Sequence, residues 1–354
     1  MRAAVLERFG GDIAVVEVPD PGPPRPGDVL VAVEACGVGL TLERARTGAL
    51  GGTVPRIVGH ELGGTVAAVG PGVTGWQPGD RVTASFYLTC GGCPFCAGGR
   101  ETLCTAWRGY VGLHVEGALA EAVVLPAASL VAVPDGVGLD EAAIAADAIA
   151  TPYHVFAERA PVRPGDTVAV IGAGGGVGVH MALMARAFGA RVVAVERDAA
   201  KEKRLGDYGF DVVWNPGDDP DWADGLIGAA GGKVDVCVDT VASNATLANG
   251  VGVVGRAGTF VVVGFQPGTA LALDPAGLII DEVTVTGSRY ATRAEIARTL
   301  DLVAERRVEP VIGARFPLAE AGEAYRAMQR NEVFGRIVVD TRPAVSAAPL
   351  TSPS

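Results

Sequence analysis

Hydrophobic and polar positions follow a β-type pattern in the first part of the chain, up to about Thr151. Short apolar runs are separated by clusters rich in glycine and proline, such as PDPGPPRPGD and GPGVTGWQPGD; the runs are VLVAVEACGVG, GGTVAAVG and DRVTASFY. Short strands bounded by turns at this spacing are typical of an irregular barrel or sandwich. We therefore expect a β-rich domain in this part of the chain.

The pattern changes near Asp140. The alanine-rich run LDEAAIAADAIATPYHVFAERA predicts a helix that Pro152 should break or restart. Apolar strands then alternate with helical runs: TVAVIG, VHMALMARAFG, RVVAVE, KVDVCVDT and GTFVVVG. Continuous apolar strands alternating with helices predict a parallel sheet covered on both faces. After about Ser288 we expect two amphipathic helices and two short strands, of which GRIVVD is the last. The tail 341–354 is predicted to be disordered.

Composition and charge narrow the class of partner. The 354 residues are 49% hydrophobic and 19% charged, which is globular, and the net charge is −11. An acidic chain is a poor ligand for a phosphate backbone, which selects clustered lysine and arginine. The N-terminus has charges inside its short apolar run, and the uncharged stretch 167–185 is interrupted by glycines. We expect a soluble, cytoplasmic protein with no nucleic-acid or membrane partner.

Four of the six cysteines lie close together, in the string CGGCPFCAGGRETLC. Three cysteines at two-residue gaps in a loop rich in glycine wrap one ion, and a fourth closes a tetrahedral all-sulfur shell suited to zinc. Such a shell leaves no open position, so this lobe, about residues 88–106, predicts a structural zinc site. Its ligands are Cys90, Cys93, Cys96 and Cys104.

A glycine turn follows the strand TVAVI and precedes a helix that opens near Val177. Backbone N–H groups at such a turn face a pyrophosphate, which side chains would block. Glu196 follows the next strand, where a carboxylate holds ribose hydroxyls, so NAD(H) is favoured; Arg197 beside it leaves NADP(H) open. The predicted turn residues are Gly172, Gly174, Gly175, Gly176, Val177 and Gly178.

With these motifs in order, the chain resembles the medium-chain, zinc-type alcohol dehydrogenases. The resemblance runs from Met1 to about Asp340 and rests on GHE, the four-cysteine lobe, DAIATPYHVF, the GGGVG turn and GRIVVD. It implies an α/β protein in which a GroES-like catalytic domain, residues 1–150 and 289–340, is interrupted by a Rossmann domain, residues 151–288. It also implies a small-molecule substrate in the cleft and a homodimer or homotetramer, with LALDPAGLIIDEVTVTG as the edge that pairs.

The resemblance also assigns residues. His60 matches the family's catalytic zinc ligand, Glu61 the carboxylate that can reach the metal, and Asp147 the last zinc ligand. Thr41 matches the hydroxyl that relays the substrate proton. The two remaining assignments concern the cofactor: Lys201 near the adenosine ribose and Arg336 near the pyrophosphate.

The stretch ACGVGLTLE departs from the family. Members commonly read A-C-G-V-C-x-T-D, in which the second cysteine is a zinc ligand. Here Gly39 stands at that position, Leu42 replaces the aspartate, and Arg44 replaces a histidine of the proton relay; Cys36 matches the first cysteine, which is ordinarily not a ligand. Occupancy of the catalytic zinc site is therefore left open.

Three functions remain. The first is an NAD(P)-dependent alcohol dehydrogenase in which zinc on His60, Glu61 and Asp147 polarises the alcohol and Thr41 relays the proton. The second is a metal-free reductase of an enal, an enone or an iminium carbon, with Thr41 or His60 as proton source or oxyanion partner. The third is a dinucleotide-binding protein without catalysis. Trp107, Tyr110 and His114 are weaker substrate-pocket candidates.

Overall fold

The computed structural model describes residues 1–343. Their overall α/β fold, in which one main sheet is mixed and the other is wholly parallel, confirms the predicted fold class. The strands are β1 (Arg2–Leu6), β2 (Ile13–Glu17), β3 (Asp28–Val38), β4 (Arg56–Ile57), β5 (Glu61–Val69), β6 (Arg81–Ala84), β7 (Tyr87–Leu88), β8 (Gly109–Tyr110), β9 (Ala122–Pro126), β10 (Leu130–Ala132), β11 (Thr167–Ile171), β12 (Arg191–Val195), β13 (Val212–Trp214), β14 (Val234–Asp239), β15 (Val254–Val262), β16 (Thr284–Gly287), β17 (Ile312–Pro317) and β18 (Arg336–Asp340).

The helices are α1 (Leu40–Arg46), α2 (Pro94–Ala97), α3 (Leu139–Ile144), α4 (Ala150–His154), α5 (Gly176–Ala187), α6 (Ala199–Asp207), α7 (Ala223–Ala230), α8 (Asn244–Gly252), α9 (Pro275–Asp281), α10 (Arg293–Ala304) and α11 (Ala321–Gln329). Within the described residues no helix has the length and apolar character needed to cross a membrane.

The catalytic domain is built on a seven-stranded sheet in the order β10-β6-β5-β3-β18-β17, with β9 also paired to β3. Strand β3 lies centrally and is buried on alternate residues at its start and continuously at its end. Its last residues pair with β18 on one side and β5 on the other, so Gly37 stands opposite both Val338 and Glu61. This register brings the ends of three distant segments together at the cleft.

The nucleotide-binding domain is a six-stranded parallel sheet in the order β13-β12-β11-β14-β15-β16. Alternate residues of β11 enter different cores: Val168 and Val170 pack on one face, and Ala169 and Ile171 on the other. A strand that is buried on both faces needs apolar residues at every position, which explains the unbroken hydrophobic run TVAVI.

The predicted break at Pro152 is wrong. Backbone helical geometry continues from Leu139 to Arg159, and two five-residue π-helical segments, Ala145–Ile149 and Val155–Arg159, flank α4. A proline inside an α-helix clashes with the carbonyl four residues earlier and removes a hydrogen bond. The π turn before Pro152 changes that spacing, so the helix widens and continues.

The predicted disordered tail begins with an ordered residue. Thr341 is buried, its amide donates to the Glu34 carbonyl, and its hydroxyl donates to the Val33 carbonyl at 2.7 Å. Residues 344–354 lie outside the described part of the chain.

Candidate active site in the interdomain cleft

A cavity of about 620 Å³ lies between the two domains. Residues from the ends of β3 and β18 and from the helix around Asp147 form one wall, and the glycine turn before α5 forms the other. The catalytic-domain residues that line it include Gly39, Thr41, Arg44, Tyr110, Asp147 and Arg336; the nucleotide-domain residues include Thr151, at the domain boundary, and Gly175, Gly176, Val177, Gly178, Thr240 and Phe265. The cavity therefore joins the predicted cofactor turn to two of the predicted catalytic residues, Thr41 and Asp147, whereas His60 and Glu61 are not among its described lining residues.

His60, Glu61 and Asp147 meet in the catalytic wall, as the resemblance implied. The Nε2 atom of His60 lies 3.2 Å from Oδ2 of Asp147 and 3.7 Å from Oε1 of Glu61. All three side chains are buried, and Phe86 packs edge-on against the imidazole at 4.6 Å between ring centroids. One helical turn after Asp147, the hydroxyl of Thr151 donates to its Oδ1 at 2.9 Å.

The charge state of Asp147 follows from these contacts. Burial disfavours its ionised form, but the hydrogen bond from His60, the charges of His60 and Arg336 and the hydrogen bond from Thr151 together hold its pKa below the usual range. Thr151 was missed in the sequence. Its position four residues after Asp147 on a helix was the available signal, because residues at that spacing face each other.

Arg336 is an unexpected member of this group. Its Nε donates to Oε2 of Glu61 at 3.0 Å and its Nη2 donates to Oε1, so the two side chains form a bidentate pair. The same Nη2 lies 3.7 Å from Oδ2 of Asp147. Burial raises the pKa of Glu61, and the charge and hydrogen bonds of Arg336 oppose that rise.

Gly39 provides the space for this guanidinium. A Cβ at Gly39 would overlap Nη1, Cζ and Nη2 of Arg336. The residue before α1 has extended backbone, with φ −142° and ψ 178°, which any residue adopts. The absence of a side chain at Gly39, and not its backbone conformation, therefore lets Arg336 enter the group.

A catalytic zinc ion does not fit this arrangement. His60, Glu61 and Asp147 offer ligand atoms within 4.8 Å of one another, but Arg336 already binds the Glu61 oxygens. Two like unit charges about 4 Å apart repel by about 4 kcal/mol at the effective dielectric of a protein surface, and a dication doubles this. With a guanidinium already bound to the carboxylates and no thiolate at Gly39, the three remaining ligands offer too little free negative charge for a zinc dication.

The four-cysteine lobe, by contrast, fits zinc. Adjacent sulfur atoms lie between 3.4 and 4.0 Å apart, close to the edge of about 3.8 Å that a tetrahedron with 2.3 Å Zn–S bonds requires. Backbone N–H groups support thiolates there: the Cys93 amide donates to Cys90 Sγ at 3.3 Å. Amide contacts, first from Cys96, lower the pKa of Cys93 to about 5.

The glycine turn has the shape of a phosphate cradle. Gly172 has φ +79°, which favours glycine, and the amide of Gly175 donates to its carbonyl at 3.1 Å. A Cβ at Gly178 would overlap the Gly172 carbonyl, so only glycine lets α5 approach β11 this closely. Gly175, Gly176, Val177 and Gly178 face the cavity.

The remaining predicted cofactor residues make protein contacts next to the turn. Glu196 accepts hydrogen bonds from the amides of Gly174, at 2.8 Å, and Asp198, at 3.0 Å. Lys201 is buried and donates to Asn331 Oδ1 at 2.6 Å, which links the nucleotide-binding domain to the catalytic domain. Arg197 is exposed.

Two further arginines line the cavity: Arg44, which the sequence analysis noted as the replacement of a histidine, and Arg289, which it did not single out. Arg44, in the family's histidine position, donates through Nη2 to the Phe265 carbonyl and lies 5.0 Å from the Phe265 ring centre. Arg289 donates to the hydroxyl of Tyr110. Tyr110 and Tyr290 contribute to the wall, whereas Trp107 and His114 are not among the described cavity residues and pack against Tyr110.

Comparison with known proteins agrees with this architecture. The model of the alcohol dehydrogenase GroES-like domain matches residues 25–135, and that of the zinc-binding dehydrogenase domain matches residues 176–305. The chain is 34% identical over 343 residues to an alcohol dehydrogenase of Geobacillus stearothermophilus, covering 96% of this chain and 99% of that one. It is 30% identical over 347 residues to the acryloyl-coenzyme A reductase of Metallosphaera sedula, covering 96% and 100%.

A solved structure is similar throughout. The crystal structure of AibC superposes with a TM-score of 0.88 at 35% identity and covers 97% of this chain and 96% of that one. These matches confirm the predicted oxidoreductase class, and the relatives include proteins of both predicted kinds, alcohol dehydrogenases and a reductase. The chain belongs to the zinc-type alcohol dehydrogenase family of the medium-chain dehydrogenases.

Proposed function

We propose that this oxidoreductase transfers hydride from NADH to the β-carbon of an activated C=C bond, in an enal, an enone or an enoyl thioester, without a catalytic metal. The observation that carries the proposal is Gly39 in the place of the ligand cysteine, in a site that keeps Thr41 and a cavity open to the glycine turn. The similarity to an acryloyl-coenzyme A reductase supports the same substrate class.

The chemistry explains why a metal is dispensable. Reduction of a simple ketone places full negative charge on one oxygen, which a Lewis acid stabilises well. In a conjugated substrate the charge from hydride addition is spread over the α-carbon and the carbonyl oxygen, so neutral hydrogen-bond donors suffice. Thr41 lines the cavity and supplies such a hydroxyl, through which the α-carbon of the enolate would take its proton from solvent water to complete the reduction. His60 is buried against Asp147 and, in this reading, positions the wall and does not touch substrate.

The proposed cofactor site is the glycine turn before α5. A nicotinamide dinucleotide bound there supplies the hydride. The amides of Gly175, Gly176, Val177 and Gly178 would hold its pyrophosphate at the N-terminus of α5, beside Gly172 and Gly174. Glu196 favours NAD(H), because a 2′-phosphate would meet a carboxylate whose position two backbone amides determine. Arg197 and Lys201 complete the proposed cofactor set, whereas the guanidinium of Arg336, which the resemblance placed near the pyrophosphate, is bound to Glu61.

A substrate panel tests the reaction. Purified protein is offered acryloyl and crotonyl thioesters, cinnamaldehyde and cyclohexenone with NADH, and primary and secondary alcohols with NAD⁺, while nicotinamide absorbance is followed. We expect turnover of the conjugated compounds and at least a tenfold lower kcat/KM for the alcohols. Thr41→Ala should lower kcat on the best substrate about 10²-fold while Thr41→Ser retains most of it, which is the typical size of a positioned donor.

Alcohol oxidation is the second candidate. The alcohol dehydrogenase relatives favour it, as does the retention of His60, Glu61 and Asp147 with ligand atoms within 4.8 Å of one another. Turnover of alcohols alone would select it over C=C reduction. No turnover of any compound, together with tight NADH binding, would instead select a protein that binds the dinucleotide without catalysis.

The quaternary structure is proposed from the sheet edge. Strand β16 is an edge strand of the parallel sheet, and α9 beside it buries no residue in the monomer. Ile279 and Ile280 on that helix are 76% and 72% exposed. Exposed apolar residues next to an unpaired edge are typical of an interface, so we propose a homodimer formed through β16 and α9.

A further inference from the structure

Arg336 and a catalytic metal ion would compete for the same ligand atoms. The metal site would consist of Nε2 of His60, Oε1 of Glu61 and Oδ2 of Asp147, which lie 3.7 and 3.2 Å from the histidine nitrogen. The Nη2 atom of Arg336 hydrogen-bonds the first of these oxygens and lies 3.7 Å from the second. The guanidinium therefore occupies the approach to both carboxylates.

The guanidinium can also replace the positive charge that a metal ion would supply at this site. Two buried carboxylates, with side-chain exposures of 0% and 7%, need a positive partner because an uncompensated buried charge costs several kcal/mol. Since arginine stays protonated in proteins, this cation cannot be released by a chelator.

We propose that Arg336 is the resident cation of this site and that Gly39 and Arg336 act as a pair: glycine at position 39 admits the guanidinium and excludes a metal, whereas cysteine would reverse both. The inference concerns the occupancy of the site and does not depend on the substrate. A thiol at residue 39 would displace the guanidinium by overlap and would add the missing ligand. Arg336 is here a positioning residue that holds Glu61 and Asp147.

The test compares wild type with Gly39→Cys and Gly39→Ser. Both substitutions introduce a Cβ where the guanidinium lies, but only cysteine contributes a good zinc ligand, so serine is the matched control. A fourth protein, Arg336→Met, removes the cation and keeps Gly39. Each is produced with excess zinc, checked for folding by thermal unfolding, and measured for metal per chain by elemental analysis. A parallel set grown with Co²⁺ is examined for visible absorption.

We expect about one zinc per chain in wild type, the ion of the four-cysteine lobe, and about two in Gly39→Cys. Gly39→Ser displaces the guanidinium without adding a thiolate, so it should hold a second ion only as weakly as Arg336→Met does. Arg336→Met should acquire a second, more weakly held ion, lost on dialysis against a chelator. Cobalt spectra of Gly39→Cys should gain a second set of bands. Two ions in wild type would overturn the proposal, because the guanidinium would then yield to a metal. One ion in folded Gly39→Cys would overturn it as well.

The result is independent of the reaction. Metal content is counted without substrate, so an inactive panel would leave this inference standing while removing the proposed function. Wild-type turnover that persists after treatment with a chelator strong enough to remove zinc from an open site would support both this inference and the proposed function.

Discussion

At the scale of single residues, the active-site wall depends on which positions lack a side chain. Gly37 and Gly39 lie at the end of β3, where a Cβ would overlap the Glu61 carboxylate and the Arg336 guanidinium, respectively. The two glycines have ordinary places in a strand and a turn, so their backbone conformation does not explain them. Their contribution is the space that a missing side chain leaves, in which the bidentate ion pair of Arg336 with Glu61 forms.

A prediction at this scale concerns Gly178 in the glycine turn. Gly178→Ala places a methyl group against the Gly172 carbonyl, a backbone atom that cannot move aside without separating α5 from β11. Overpacking of this kind costs about 1–3 kcal/mol, and the cradle should widen. We expect a lower midpoint of urea unfolding and NADH affinity reduced at least tenfold in a fluorescence titration.

Gly206→Ala is the matched control. Gly206 is an exposed residue of α6, and an added Cβ would meet nothing within 4 Å. Alanine is favoured over glycine in a helix by about 1 kcal/mol, so this variant should be as stable as wild type or more so, with unchanged NADH affinity. Equal losses in the two variants would contradict the close-approach explanation for Gly178.

At the scale of elements, the four-cysteine lobe has little apolar material of its own. Helix α2 has four residues and none is buried, and the strand pair β7–β8 has two residues on each side. Segments this short are not stable alone in water, so bonds to a zinc ion would supply the missing free energy. The lobe also contacts the C-terminal segment of the same domain, where the amide of Arg293 donates to Glu101 at 2.7 Å.

Loss of one sulfur should therefore destabilise the lobe without removing the cofactor site. Cys104→Ser is expected to lose the zinc and to unfold at least 5 °C below wild type, while NADH affinity stays within about twofold. Cys237→Ser, a buried thiol on β14 away from the lobe, should retain the metal. Full zinc content in Cys104→Ser would contradict a four-cysteine site.

Helix α5 carries a buried histidine that should make stability depend on pH. The Nδ1 of His180 donates to the Gly176 carbonyl at 2.6 Å, and its Nε2 accepts from the Val311 amide at 2.8 Å, so the ring must be neutral. Burial lowers its pKa to about 4 from an ordinary value of 6.5. Between these values the unfolded chain binds the proton and the folded chain does not.

The folded state therefore becomes less stable as pH falls from 6.5 toward 4. This one histidine lowers the free energy of unfolding by up to about 3 kcal/mol over that range. His180→Gln can keep both hydrogen bonds but cannot take up a proton. We expect a shallower loss of stability over that range in urea unfolding of the variant. Identical pH profiles for the two proteins would show that His180 does not carry the effect.

At the scale of the whole molecule, one edge of the parallel sheet in the nucleotide-binding domain is not covered by the rest of the chain. Pairing through β16 and α9 would bury Ile279 and Ile280, each more than 70% exposed in the monomer. Ile280→Glu introduces a charge into that surface and should shift the protein from dimer toward monomer in sedimentation velocity.

Phe9→Glu is the control for the same change of chemistry elsewhere. Phe9 is 44% exposed and lies in the catalytic domain, so this variant should sediment as wild type does. Wild type that remains monomeric at high micromolar concentration would contradict the proposed interface, and so would an Ile280→Glu protein that remains dimeric.

The sequence by itself determined the architecture and the chemistry of two sites. Unbroken apolar strands alternating with helices specify a covered parallel sheet, because both faces must be buried. The spacing of Cys90, Cys93, Cys96 and Cys104 specifies a closed sulfur shell, since local loop geometry alone brings the four together. The same holds for the glycine turn, whose strand, turn and helix are contiguous, and the ordered motifs identified the family.

Only the tertiary structure decided what occupies the active site. Gly39, Glu61 and Arg336 come from separate segments, and the pairing of β18 with β3 and of β3 with β5 brings them into contact. Asp147 joins them from the π-helical segment Ala145–Ile149, which packs on β5. The sequence showed that a ligand was missing at Gly39. It did not show that a guanidinium fills the space, because the spacing of residues along the chain does not reveal which distant segments pair. Local spacing did not predict the continuous helix through Pro152 either: the buried segment Ala145–Ile149 forms a π turn where the sequence predicted a break.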